Sequence, residues 1–431
     1  MLELAQIFRR HGAAYRAQQL LLPSQARAMQ DIEACRTAYF GGHLKQCDHC
    51  GRQIYAYHSC RNRHCPKCHG DQTERWLAQQ QPRLLPCPYF LVTFTLPQEL
   101  RPLAFANQKK VYGLLMRAAA TALQKLALDP QYLGGRLGAL AVLHTWTRAL
   151  LYHPHVHMLV IGGGLSPDGK EWLPAKHSTY LMPVEALSLI FQAKFCAALK
   201  RAGLLHQVPR LVWKKDWVVH CQAAGQGREV LNYLARYIFR VAISNSRLER
   251  FENGQVTFRY RHNRSQQLHR VTLPAQKFIH RFLLHVLPRG CAKVRYYGIW
   301  SPSCRKQLEQ ARTLLAAVTA SSSVDSSPPA LLTEPAALLP AAPLCPHCHV
   351  GQLFDIRVLP RQPAPMTIKV PFTRAPRRRP SPAAVLLLSR PSVTPLSRTA
   401  FLRQRELLCE AFATHGLYSC LAQAAETTAP K

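Results

Sequence analysis

In the run His153-Pro154-His155-Val156-His157, three histidines alternate with Pro154 and Val156. Side chains on a β-strand alternate between faces, so His155 and His157 leave the same side and can meet one divalent ion. The signal is weak alone, because most His-x-His pairs are ordinary hydrogen-bonded residues. A catalytic ion usually needs a third protein ligand, and His144 lies on the apolar run just upstream. If the chain turns around Leu150 and Leu151, His144 falls opposite His157; a core histidine fits the position equally well. His153 is assigned to the turn, where Pro154 disturbs the strand.

Tyr233-Leu234-Ala235-Arg236-Tyr237 lies in a stretch of helical period and good helix formers, Glu229 to Val241. Tyrosines at i and i+4 project from one helix face about 6 Å apart along the axis. Two such tyrosines also describe an ordinary packed helix. Beside a metal site they gain a chemical use. A phenol ionises only near about pH 10, and a divalent ion that polarises a phosphodiester offsets that weakness. Attack would leave a 5′-phosphotyrosine and a free 3′-hydroxyl, and the reverse attack would rejoin strands without ATP.

A third chemistry sits in Cys47-x-x-Cys50 and Cys65-x-x-Cys68, fourteen residues apart. Two such knuckles can converge on one tetrahedral zinc, with Cys60 as a reserve ligand. Four thiolates leave no open position, which makes the site structural. Arg52, Arg61, Arg63 and Lys67 around it suit phosphate contacts. Cys345-x-x-Cys348 repeats the knuckle without an evident partner pair, so a thiol pair in a linker explains it as well as half a zinc site does.

The elements that must position these residues follow from periodicity. Residues 1–86 read as a helical lead-in followed by the zinc-binding segment, too polar between Gly41 and Gly70 to fold without metal. Pro88 to Leu96 reads as a buried strand. Ala139 to Thr147 and Val156 to Ile161 suggest an antiparallel hairpin, and Gly162-Gly163-Gly164 ends it rather than cradling a phosphate. Val184 to Ala202 is helical by period, Trp217 to His220 a strand, and Val256 to Tyr260 and Arg270 to Leu273 two more strands before a helix from Ala275 to His285. The fold class is therefore α+β: an antiparallel-sheet catalytic domain over 87–300 with flanking helices. Residues 301–431 turn rich in Ala, Ser, Pro and then Arg, and read as a largely disordered tail.

The 431 residues carry 56 Lys and Arg against 22 Asp and Glu, a net +34 that calls for a polyanion, with nucleic acid first. A membrane surface would require an apolar span or an amphipathic basic helix, and neither is evident. The opening residues lack the pattern of a secretory leader, so the expected compartment is a reducing cytoplasm in which the 15 cysteines bind metal rather than pair.

These motifs together resemble the two-tyrosine HUH transposases of rolling-circle insertion sequences, in particular the insertion sequence 91 family. The likeness runs from about Gly41 to Trp300, through the Cys47 to Cys68 cluster, Phe94-Thr95-Leu96-Pro97, Leu143-His144-Thr145-Trp146, the histidine run, the tyrosine motif and Phe282 to Pro288. The tail lies outside it. The resemblance implies an N-terminal zinc-binding domain and a sheet carrying the HUH histidines. It also implies a helix presenting Tyr233 and Tyr237, with Arg236 among the DNA contacts. The implied cofactors are structural Zn2+ and catalytic Mg2+ or Mn2+, hard ions suited to phosphate. The implied partners are single-stranded DNA at mobile-element ends and target DNA, met in a bacterial cytoplasm and on the nucleoid. A plasmid or phage replication initiator or relaxase would use the same residues on another origin. A non-catalytic zinc-containing DNA-binding protein would explain the charge and the cysteines, but neither other motif.

Overall fold

The computed structural model describes residues 1–68, 70–226, 229–230, 235, 238–262, 265–322 and 343–362. Two helices, α1 (Leu4–Gln18) and α2 (Pro23–Glu33), precede the hairpin β1 (Gly42–Cys47) and β2 (Gln53–Tyr57). Helix α3 (Gly70–Gln80), strand β3 (Pro88–Thr95), and helices α4 (Arg101–Ala106) and α5 (Gln108–Ala127) follow. Next come β4 (Gly138–Trp146), β5 (Tyr152–Ile161), the short pair β6 (Gly163–Leu165) and β7 (Trp172–Pro174), α6 (Val184–Arg201) and β8 (Val219–Gln226). The chain continues through β9 (Leu248–Glu252), β10 (Gln255–Arg261), β11 (Leu268–Pro274), α7 (Ala275–Leu283), β12 (Val294–Gly298), α8 (Arg305–Ser322) and β13 (Leu353–Leu359).

The mixed α+β architecture centres on a five-stranded antiparallel sheet in the order β12-β4-β5-β3-β8. Both central strands are apolar on the side where Val156, Met158 and Val160 meet Leu143, Ala141 and Ala139 as cross-strand partners. Helices α5 and α6 cover that side; Phe94 of β3 meets Phe191 of α6 edge to face at 5.0 Å. Each fully buried aliphatic or aromatic side chain of this layer contributes about 1.5–3 kcal/mol relative to exposure.

A second core joins segments distant in sequence. Helix α7 buries Ala275, Phe278, Ile279, Phe282 and Leu283, the i, i+3, i+4, i+7, i+8 stripe of an amphipathic helix. Its stripe meets the Leu4, Ile7 and Phe8 face of α1, with Phe8 and Phe282 rings 5.4 Å apart, and the β11-β10-β9 sheet closes the same cluster. The lead-in helices thus pack on residues 248–286, which composition alone placed with the catalytic sheet.

Two other expectations are corrected. The segment from 301 onward is not uniformly tail: α8 buries Leu308, Ala311 and Leu315 in the main core, and residues 343–362 form a knuckle and β13, which pairs with β1. Strand β5 begins at Tyr152, so His153 lies in the strand rather than in a turn. The turn is Thr147 to Leu151, with Leu150 at φ 61°.

Candidate functional site

Hairpin β4-β5 carries the histidines. Cross-strand pairing sets His144 opposite His155, not opposite His157, whose partner is Val142. A slip in the ladder between His144 and Trp146 shifts the register there. Pro154 has no N–H to give, and strands tolerate proline where a ladder is interrupted. With β3 added, one sheet face presents His144, His155 and Thr95 in one row and Val142, His157, Thr93 and then His220 of β8 in the next.

The three histidines converge. Each of His144, His155 and His157 offers a ring nitrogen within 4.8 Å of the others, and the ring centroids lie 4.8–5.5 Å apart. His155 Nδ1 donates to the His153 carbonyl at 2.7 Å, which turns its Nε2 lone pair outward. Thr93 Oγ1 lies 3.0 Å from His157 Nδ1 and can accept from it, which would place the lone pair of His157 on Nε2 in turn. Burial holds His155 down at about 4, and neighbouring Arg240 and Arg101 charges push the same way against the pull of its own hydrogen bond. Burial likewise holds His157 at about 2, helped by His155 and Arg240. Both rings are therefore neutral at pH 7, the state a metal requires. His153 stays outside the trio, its Nδ1 receiving a bond from Arg101 at 2.7 Å.

Tyr233, Tyr237 and Arg236 lie outside the described residues. The neighbouring described positions locate the end of their stretch. Glu229, Val230, Ala235 and Ile238 are helical, with Val230, Ala235 and Ile238 buried. Lys293, just before β12, donates to the carbonyls of Ile238 at 2.6 Å and Arg240 at 2.9 Å. The same ammonium sits 5.6 Å from the ring centre of Trp146, which stacks on His144 at 4.7 Å. The end of the tyrosine-bearing stretch is thereby tied to the histidine row. Lys293 and exposed His220 were missed in the sequence; alternation along Trp217 to His220 marked the second, while nothing in the sequence marked the first.

The cysteines divide differently from the expectation. Cys47, Cys50, Cys65 and Cys68 do not share one centre. Cys65 and Cys68 join Cys60 and Cys35, while Cys47 and Cys50 join Cys345 and Cys348. The reserve ligand Cys60 is a full member of the first group. Cys35 went unrecognised because it continues the apolar face of α2, alongside Met29 and Ile32. Sγ separations of 3.5 Å for Cys35–Cys68 and Cys60–Cys68 exceed a disulfide bond and approach the edge of a zinc tetrathiolate tetrahedron, about 3.8 Å for Zn–S bonds of about 2.3 Å.

The basic residues expected on DNA also divide. Arg63 donates to the carbonyls of Cys291, Leu287 and Pro288, and Lys67 pairs with Glu3 at 2.9 Å. Those two side chains hold the zinc-binding segment against its neighbours, whereas Arg52 and Arg61 are exposed. Among the described residues no helix is long and apolar enough to cross a membrane.

A family described as putative transposase matches residues 138–308, and one described as transposase zinc-binding domain matches residues 7–96. The putative transposase y4qJ of Sinorhizobium fredii is 42% identical over 381 residues, covering 83% of this chain and 95% of that protein. The transposase for insertion sequence element IS801 of Pseudomonas savastanoi pv. phaseolicola is 30% identical over 281 residues, 62% of this chain and 67% of that protein.

Proposed function

This chain belongs to the insertion sequence 91 family of two-tyrosine transposases with an N-terminal zinc-binding domain, and from that premise we propose that it cleaves and rejoins single-stranded DNA at mobile-element ends through a 5′-phosphotyrosine. The convergence of His144, His155 and His157 on one point of the sheet supports this reading most directly. Their neutral, pre-oriented rings fit a divalent ion such as Mg2+ or Mn2+. When bound, that ion supplies charge neutralisation and polarisation at a phosphodiester.

The chain's own residues perform the rest. A hydroxyl of Tyr233 or Tyr237 attacks phosphorus, forming the tyrosyl P–O bond as the bond to the 3′ oxygen breaks. The phenolic proton ends, net, on the departing 3′-hydroxyl. Nothing is oxidised, and the phosphodiester energy stays in the new bond, so an incoming 3′-hydroxyl reverses the step on another strand. Two tyrosines allow a second cleavage before the first is resolved. Exposed Arg52 and Arg61, with Arg236, act on the DNA backbone, and the Cys35, Cys60, Cys65 and Cys68 group takes a structural zinc.

The test is a labelled single-stranded oligonucleotide bearing element-end sequence, incubated with protein and Mn2+. A covalent protein–DNA adduct is expected, retained when either tyrosine alone is changed to Phe and lost in the Y233F/Y237F double variant. Absence of an adduct with every end sequence overturns the proposal.

A further inference from the structure

We infer that Cys47, Cys50, Cys345 and Cys348 form a second tetrathiolate zinc site, a clasp that fastens residues 343–359 onto the N-terminal hairpin. These cysteines take no part in the proposed cleavage; two precede the catalytic sheet in the sequence and two follow it. Cys345 and Cys348 lie beyond both the zinc-binding match at 7–96 and the match at 138–308.

The Sγ atoms of Cys47 and Cys348 are 3.7 Å apart and those of Cys50 and Cys345 3.8 Å apart, across 301 and 295 residues of sequence. A disulfide would require about 2.05 Å, whereas four thiolates on a tetrahedral ion with bonds of about 2.3 Å are separated by about 3.8 Å. All four Sγ atoms fall within 4.8 Å of one another.

The two knuckles are also built alike. Gly51 N–H donates to the Cys47 carbonyl at 3.0 Å, and His349 N–H to the Cys345 carbonyl at 2.9 Å. Gly51 has φ 70° and His349 φ 58°, so each second cysteine is followed by left-handed backbone. For His349 that conformation is uncommon, and the loop keeps it. Backbone N–H groups point at sulfur in both: Cys50 toward Cys47, His347 toward Cys345 and Gly351 toward Cys348, at 3.4–3.5 Å. Such donors stabilise thiolates rather than thiols.

The approach of the two knuckles leaves no room for a side chain at position 351. A Cβ on Gly351 would lie 2.5 Å from both Cys47 Sγ and Asp48 Oδ1. Gln352 N–H donates to Asp48 Oδ1 at 2.8 Å, and β13 continues from there along β1, from Leu353 opposite Cys47 to Leu359 opposite Gly42. The ion would thus lock the register of a three-stranded sheet whose third strand arrives from the far end of the chain. The chemical class is a soft, four-coordinate cation taken by sulfur, which selects zinc.

Native mass spectrometry of the full chain is expected to count two zinc ions, and the C345S/C348S variant one. Alkylation of the unmutated chain needs no variant to fold. Cys47, Cys50, Cys345 and Cys348 should resist iodoacetamide together in the zinc-loaded protein and become reactive together when a chelator is added. Equal zinc counts in the two proteins, or immediate labelling of Cys345 and Cys348 in the zinc-loaded chain, would overturn the clasp.

Discussion

The Thr93 hydroxyl helps to orient His157. Thr93→Val keeps the shape of the β3 side chain but removes the partner of His157 Nδ1, and orienting partners of this kind are worth about 10–100-fold in metal affinity. Calorimetric titration with Mn2+ should show a loss in that range, with oligonucleotide binding in the absence of metal unchanged; an unaltered Mn2+ affinity would refute the role. A buried histidine outside the trio also contributes to acid stability. Burial holds His285 at about 3, against an ordinary value near about 6.5, so below that pH the unfolded chain takes up a proton that the native protein refuses. The stability tied to His285 is complete above about pH 6.5 and falls as pH drops toward 3, by about 1 kcal/mol between pH 6.5 and 5.5. The difference between the unfolding free energies at those two pH values, from denaturant titrations, should shrink by that amount in H285Q; an unchanged gap would show that His285 carries none of it. At this scale the sequence was informative where chemistry repeats locally, as in His155 and His157. The partner of His144 was misjudged because the turn closes between Thr147 and Leu151, centred on Ala149 rather than around Leu150 and Leu151, and the slip beside Pro154 makes up only one residue of the difference.

Among elements, the coupling that matters runs from β12 to the stretch bearing the tyrosines. Half-buried Lys293 is desolvated, which brings it down to about 7, and it donates to the last carbonyls of that stretch, a favourable place for a cation by both hydrogen bonding and helix dipole. K293M should therefore lower the cleavage rate about 100-fold, the cost of a small misplacement of a nucleophile, with Mn2+ affinity held near wild type. Single-turnover adduct formation at saturating Mn2+ measures the first quantity and titration the second. Equal loss of both would make Lys293 a general packing residue instead. Element types were readable from period: the β4-β5 hairpin, α6 and α7 fall close to where alternation and the 3.6-residue repeat put them. Helix α8 was not, because Arg305 to Ser322 adjoins an Ala-, Ser- and Pro-rich stretch whose composition masks the Leu308, Ala311, Leu315 stripe. Strand β13 was equally hidden, since its partner β1 lies some three hundred residues away and only a pairing of half-sites links them.

For the whole molecule the dominant quantity is charge. A net +34 over 431 residues favours a polyanionic partner, whereas the histidine site needs neutral rings, which is the basis for proposing that affinity and chemistry are carried by different residues. Two expected contacts, Arg63 and Lys67, hold the zinc-binding segment in place, and exposed cations such as Arg52 and Arg61 are the ones proposed for backbone recognition. If that division holds, the H155A/H157A variant should lose cleavage entirely while its affinity for single-stranded DNA stays within about twofold of wild type. Both proteins should also share the same steep salt response, because each neutralised phosphate of a single strand contributes about −0.7 to the slope of log affinity against log salt. Fluorescence anisotropy across a salt series measures slope and affinity together. A variant that binds more weakly in proportion to its lost cleavage would place the histidines in DNA recognition, and a flat salt response in either protein would remove the electrostatic account of how this chain finds its strand.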